Sequence, residues 1–175
     1  VDLIGSIARF CNGINVRTLT LLSAIDVDHE SAAPFTREEI HAEGQRPLGW
    51  LRSVYLYFRV KGLEERAVLV NAENVPHIRL FRPSTIVTKE SRYGWVDRTI
   101  FYIHHLFDSY MPVMYRSVDA KLLGMAMVAD AERVLQFSAQ QDEPEKAVAE
   151  LTYADYVSVA GKLFEEQHGL GGDEL

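Results

Sequence analysis

The sequence predicts an α/β fold built on a parallel sheet. Three observations carry this: two short runs rich in Leu and β-branched residues, a long helical pattern between them, and Arg82-Pro83 closing the second run. Residues 17–24, RTLTLLSA, read as a strand buried on both faces. Residues 78–81 read as a second parallel strand, and Arg82-Pro83 as its exit, because proline cannot continue the ladder of a central strand. Strand, helix, strand in that order implies a right-handed crossover.

In chain order, Leu3, Ile4, Ile7, Ala8, Phe10 and Cys11 recur at helical spacing, and Asn12-Gly13 is the stop. Residues 25–50 form an insert of Asp, His, Glu, Pro and Gly with little periodicity. A turn of helix at 36–40 would have Thr36 as N-cap and Glu39 at the third position. Residues 48–71 read as a long helix with Val54, Tyr57, Phe58, Leu63, Ala67 and Val68 as its apolar stripe, and with Arg52, Arg59, Glu64, Glu65 and Arg66 outward. Gly62 interrupts it at a cost of about 1 kcal/mol relative to Ala, which close approach of another backbone or a ligand would explain.

Beyond a polar loop at 88–94, a helix is expected at 96–108 with Ile100, Phe101, Ile103, His104 and Phe107. Another is expected at 120–131 with Leu122, Leu123, Met125, Ala126 and Val128 on its buried face, followed by a short strand at 134–137. Residues 140–146 read as solvated loop and 151–165 as a last helix with Thr152 at its cap. Residues 1–165 thus form part of one domain with the insert 25–50, and 166–175 a disordered tail.

A chain of 175 residues, 47% hydrophobic and 25% charged, suits one globular core. The net charge of −7 gives no general electrostatic reason to bind nucleic acid or an anionic membrane, and no stretch reaches 18 uninterrupted apolar residues. Cys11 is the single cysteine, so neither an intrachain disulfide nor a cysteine zinc site can form. An intracellular setting, cytoplasmic or mitochondrial, is expected. Val1-Asp2 runs straight into a helical pattern, as in a processed chain or a piece that begins partway through a domain.

Tyr57 and Lys61 stand one helical turn apart, so they share a face. In that geometry an ammonium can lower the pKa of a phenol and ready it for proton transfer. The same pair also fits a core-edge aromatic beside a lysine that lays its stem on apolar surface, and Ser23 fits a strand-end hydroxyl that caps backbone. His104 and His105 are adjacent and point to different faces, so no metal pair is expected. His29, His41, His77 and His168 are scattered. Nothing in the sequence orients Asp26, His29 and Ser31, or Glu38, Glu39 and His41, as a triad or carboxylate site.

Three motifs in order carry a family resemblance: VDLIGSIARFCNGINVRTLTLLSAIDVD, then YFRVKGLEERAV, then IRLFRPSTIV. Together they resemble the C-terminal half of an atypical short-chain dehydrogenase/reductase, closest to its TIP30-like subgroup, over roughly residues 1–135. Val118-Asp119-Ala120 also resembles the element that opens a late helix in extended members. The resemblance implies the C-terminal part of a doubly wound parallel Rossmann sheet. Tyr57, Lys61 and Ser23 would be catalytic, with Tyr57 exchanging a proton with the substrate oxygen and Ser23 orienting the carbonyl. Lys61, Tyr57, Arg82, Pro83 and Ser84 would bind NADP or NAD.

The family places two hydroxyl residues at the end of the first strand, where this chain has Ser23-Ala24. It also opens with a Gly-x-x-Gly-x-x-Gly turn, which this chain lacks, so the dinucleotide-binding strands are expected outside it. The first strand would then have a naked edge, completed by a missing N-terminal segment or partner chain. Two functions follow: an NAD(P)-dependent oxidoreductase acting on a small carbonyl or hydroxyl substrate, or a non-catalytic binding or accessory subunit with protein partners at the insert 25–50.

Overall fold

A computed structural model of the chain describes residues 2–34, 36, 49–87, 106–138 and 146–168, with backbone alone at 49–54 and 162–168. Its elements are α1 (Asp2–Gly13), β1 (Thr18–Leu22), α2 (Gly49–Asn71), β2 (His77–Phe81), β3 (Ile86–Val87), β4 (Val118–Asp119), α3 (Ala120–Ser138), β5 (Ala147–Leu151) and α4 (Tyr153–His168). Short 3-10 turns at Asp108–Tyr110 and Val113–Tyr115 precede β4.

The main sheet has three parallel strands in the order β1-β2-β5, in register from Thr18 opposite His77 and from His77 opposite Ala147. Alternation along β2 sends its residues to two cores. Ile78 and Leu80 pack with Ala8 of α1 and with Val68, Ala72 and Val75 at the end of α2. Phe81 points the other way, stacked on Tyr156 at 5.4 Å and packed with Leu123, Ala126 and Leu151. Helices therefore cover both faces, and β2 is the buried centre. A second, two-stranded parallel ladder pairs Ile86 with Val118 and Val87 with Asp119.

Local chemistry sets the helix ends. Asp119 accepts from the Lys121 N–H at 2.8 Å and starts α3. At α4, Thr152 donates its backbone N–H and its hydroxyl to Asp155 at 2.7 and 3.1 Å, the reciprocal half of a capping box. α1 ends at Gly13, at the expected Asn12-Gly13 stop, and the left-handed φ of 53° falls two residues on, at Asn15.

Several expectations are corrected. Residues 134–137 are the last turn of α3 rather than a strand, and that helix runs seven residues past 131. The third strand is instead β5, and the last helix begins at Tyr153 after it. β1 is half-buried, not buried on both faces, because it pairs only with β2 among the described residues. Both strand-to-strand connections step the same way along the sheet, yet α2 and α3 lie on opposite faces, so the two crossovers have opposite hands. Only one can be right-handed. The helix at 96–105, Thr36-to-Glu39 capping, the loop 139–145 and the tail 169–175 lie outside the described residues, as do the side chains of His41, His104, His105 and His168.

The insert's first part, 25–34, is no loose excursion. Ala24, Ile25, Val27 and Ala32 are buried, and Arg59 and Arg66, expected to point outward, clamp this loop along α2. Arg59 reaches the Ala33 and Pro34 carbonyls at 2.8 and 2.9 Å, and Arg66 the Ala32 carbonyl at 3.2 Å. Gly62 makes the approach possible, since a Cβ there would lie 2.9 Å from both the Asp28 carbonyl oxygen and the Ala32 methyl. Gly62→Ala is therefore expected to destabilise the fold by about 1–3 kcal/mol, through overpacking that exceeds the helix-propensity gain. Urea unfolding measures it; a stabilised variant would show that the loop yields freely.

Candidate functional site

Ser23, Lys61, Arg82, Pro83 and Ser84 gather at the C-terminal ends of β1 and β2, the edge at which open α/β sheets bind ligands. β1 pairing continues past its end, with Ser23 N–H donating to Phe81 and Ile25 N–H to Pro83. Ser23 is thereby buried, and among the described residues its Oγ has no hydrogen-bond partner. Beside it, Lys61 donates to the Leu22 carbonyl at 3.2 Å and to Glu64 at 2.9 Å. An ammonium has three donors, so one remains. Tyr57 lies one turn earlier on α2, half exposed, with its ring edge-on to Phe58 at 5.5 Å. Among the described residues its hydroxyl has no partner.

Arg82 is differently disposed. Its Nε and Nη2 donate to the two oxygens of Glu65 at 2.9 and 2.6 Å, and its Nη1 donates to Glu150 at 2.6 Å. Glu65 is fully buried and Arg82 nearly so, whereas Glu150 is half exposed. Burial alone would ease the proton off the guanidinium. The hydrogen bonds and charge of Glu65, with Glu150 and Asp28, outweigh that and raise its pKa. Each of its nitrogens is thus engaged within the protein. Pro83 is buried and Ser84 half-buried just beyond it.

Sequence reasoning missed this network, because its members lie 17 and 68 residues apart. It also missed His29, whose Nδ1 sits 3.1 Å from Glu65 and 3.2 Å from Arg82. The imagined grouping of Asp26, His29 and Ser31 does not assemble. Ser31 donates to Asp28 at 2.6 Å, while Asp26, at a left-handed φ of 57°, accepts from Tyr115 at 3.2 Å. The Ser31 hydroxyl and backbone N–H and the Glu30 N–H lower the Asp28 pKa, and the Asp26 hydrogen bond and charge raise that of Tyr115. Among the described residues no three His, Cys, Asp or Glu side chains converge as metal ligands, and no helix is long and apolar enough to cross a membrane.

At the opposite end of β2, Ser138 and His77 resemble a nucleophile and its base, with Oγ and Nε2 2.7 Å apart. Proton bookkeeping argues otherwise. The Ser138 hydroxyl also lies 2.8 Å from the Val134 carbonyl, and when it donates there Nε2–H donates to Oγ and does not take its proton. The pair fastens α3 to the sheet, as does the bidentate pair of Arg79 with buried Asp130.

No protein-family model, no curated protein and no solved structure matches the chain. What the site can do is therefore argued from its geometry.

Two outcomes follow. Glu65→Leu leaves a buried guanidinium without its main partner and should cost about 3–5 kcal/mol, while Glu150→Gln, at a half-exposed bond, should cost under about 1 kcal/mol. Denaturant unfolding of both variants checks the contrast, and equal losses would refute it. Burial and then the Arg79 charge lower the His77 pKa in the fold. The unfolded chain thus binds more protons as pH falls through its own value of 6.5, and stability falls with it. Between about pH 8 and about pH 5.5 the unfolding midpoint should drop, and His77→Asn should flatten that drop.

Proposed function

We propose that this chain contributes the substrate-facing part of an NAD(P)-dependent oxidoreductase of the short-chain dehydrogenase/reductase kind, on a doubly wound sheet of which β1, β2 and β5 are one side. What supports the reading most is that Lys61 donates to the Leu22 carbonyl at the end of β1, next to Ser23 in the chain. Among the described residues the ammonium keeps one donor unspent and the buried Ser23 Oγ has no partner, so a bound polar group would satisfy both. Such a pair fits the ribose and nicotinamide end of the cofactor.

Lys61 and Tyr57 would hold that ribose, with Pro83 and Ser84 alongside. Arg82 would act at one remove, by fixing β2 and α2 through Glu65. NAD or NADP, when bound, supplies or accepts the hydride. Tyr57 moves the proton: its exposed hydroxyl gives it to a carbonyl oxygen in reduction and takes it from an alcohol in oxidation. Ser23 orients that oxygen by hydrogen bonding, alone, because Ala24 has no hydroxyl.

A second reading, a non-catalytic binding or accessory module, draws on two other observations. Glu64 already neutralises Lys61. On α1 and just after it, Leu3, Ile7, Phe10 and Ile14 form an exposed apolar stripe, on the helix that packs beside the half-buried strand β1. There the sheet would be completed by a further strand and helix, from a preceding segment or a partner chain.

The two separate in one experiment on the full-length natural polypeptide. Binding of NADPH, read by thermal shift and nucleotide fluorescence, is expected, as is its oxidation with a panel of aldehydes and ketones. Tyr57→Phe should lower turnover by about 10²-fold or more with cofactor affinity nearly intact. If NADPH changes neither melting nor fluorescence, the oxidoreductase reading fails and the binding module remains.

A further inference from the structure

His29 lies outside the Tyr57, Lys61 and Ser23 group, and its two ring nitrogens have different surroundings. Nδ1 meets the Glu65 Oε2 at 3.1 Å and the Arg82 Nη2 at 3.2 Å, while Nη2 donates to the same Oε2 at 2.6 Å. The three atoms form a triangle with one acceptor that is never a donor when ionised. A lone pair on Nδ1 would face the lone pairs of a buried carboxylate; a proton there makes a charge-assisted bond instead, and two donors then share Oε2. In the neutral ring the lone pair therefore falls on Nε2. Among the described residues Nε2 has no partner, and the side chain is 25% exposed.

We propose that His29 Nε2 is a second proton-transfer site at this edge of the sheet, an imidazole base with Glu65 as its positioning residue and a neutral hydroxyl compound, water included, as its ligand. The oxidoreductase reading is not needed for it, because no nucleotide takes part. The loop that carries the ring is held in place. Asp28 before it accepts from Glu30, Ser31 and the Ser31 hydroxyl, its backbone sits against Gly62, and Arg59 and Arg66 clamp the following residues. A carboxylate that fixes tautomer and orientation in this way is what makes an imidazole an effective base.

Charge selects the ligand. The groups around the ring are Asp28, Glu65 and Arg82, with Glu150 on the far side of Arg82, so three carboxylates stand against one guanidinium. An anionic ligand is repelled, and a neutral hydroxyl is not. In the step itself the ligand's O–H bond breaks, an N–H bond forms at Nε2, and the electron pair stays on oxygen. The resulting imidazolium faces Glu65 and returns its proton to solvent.

Long-range proton–nitrogen spectra of the histidine-labelled protein at alkaline pH test the tautomer, the His29 signal being the one that H29Q lacks. The expected neutral ring carries its proton on Nδ1. A proton on Nε2, with Nδ1 accepting from Arg82, overturns the proposal. Hydrolysis of ethyl dichloroacetate, an ester whose poor leaving group disfavours direct attack by the ring, tests the base: water gives its proton to Nε2, hydroxide adds to the ester, and ethoxide leaves, taking that proton to become ethanol. The protein should exceed equimolar free imidazole by about tenfold, short of the ~10² a positioned base gives its own substrate, and H29Q should lose that excess. An unchanged rate in H29Q leaves His29 a mere latch and sinks the idea. Should H29Q not fold, diethyl pyrocarbonate on the wild-type protein decides, the rate falling in step with modification at His29 or not.

Discussion

The pairing of Arg82 with Glu65 is the constraint on which the C-terminal edge of the sheet depends. Arg82 is the first residue beyond β2, and the fully buried Glu65 is two-thirds of the way along α2, so their two hydrogen bonds fix the helix to the central strand. Glu150 extends the same guanidinium to β5, and His29 brings in the loop after β1. Four segments thus converge on one planar cation. A hydrophobic pair in the same space could hold the layers equally well; what charge adds here is direction, because a fork of donors accepts partners only along its own axes.

That constraint explains what could be read in advance and what could not. α2 and β2 were legible because their patterns are local: an apolar stripe at helical spacing and an apolar run ended by Arg-Pro. Gly62 was legible as an anomaly, and the close backbone of Asp28 is its cause. β5 was not, since AVAEL keeps only Leu151 fully buried and leaves Val148 and Glu150 outward, a weak signal at a sheet edge. Residues 134–137 read as strand because of Val, Leu and Phe, yet Leu135 and Phe137 are exposed and the helix simply continues through them. Of the candidate site, the shared helix face of Tyr57 and Lys61 can be read from spacing, whereas the meeting of Glu65 with His29 depends on a contact between residues 36 apart.

The opposite hands of the two crossovers bear on the same edge. A short strand–helix–strand unit is right-handed because the twisted strand feeds its helix back onto one face. The connection from β2 to β5 carries β3 and β4 as a ladder of its own and delivers α3 to the other face. α2 carries Tyr57, Lys61 and Glu65 on successive turns. These three are thereby set by one rigid element, while Ser23 and His29 stand on the chain just after β1.

Charge then limits what this edge can bind. Lys61 and Arg82 are opposed there by Asp28, Glu64, Glu65 and Glu150, and both cations are already bonded to carboxylates. A pyrophosphate brought close would lose its hydration without gaining an unpaired cation. If a dinucleotide binds, its phosphates must therefore lie away from these residues, against backbone N–H groups of the kind a glycine turn presents, and only its ribose and nicotinamide can approach Lys61 and Ser23. The same field repels carboxylates and leaves neutral alcohols and carbonyls unopposed, so proton exchange at Tyr57 and at His29 would draw on one class of small, uncharged, oxygen-bearing ligand.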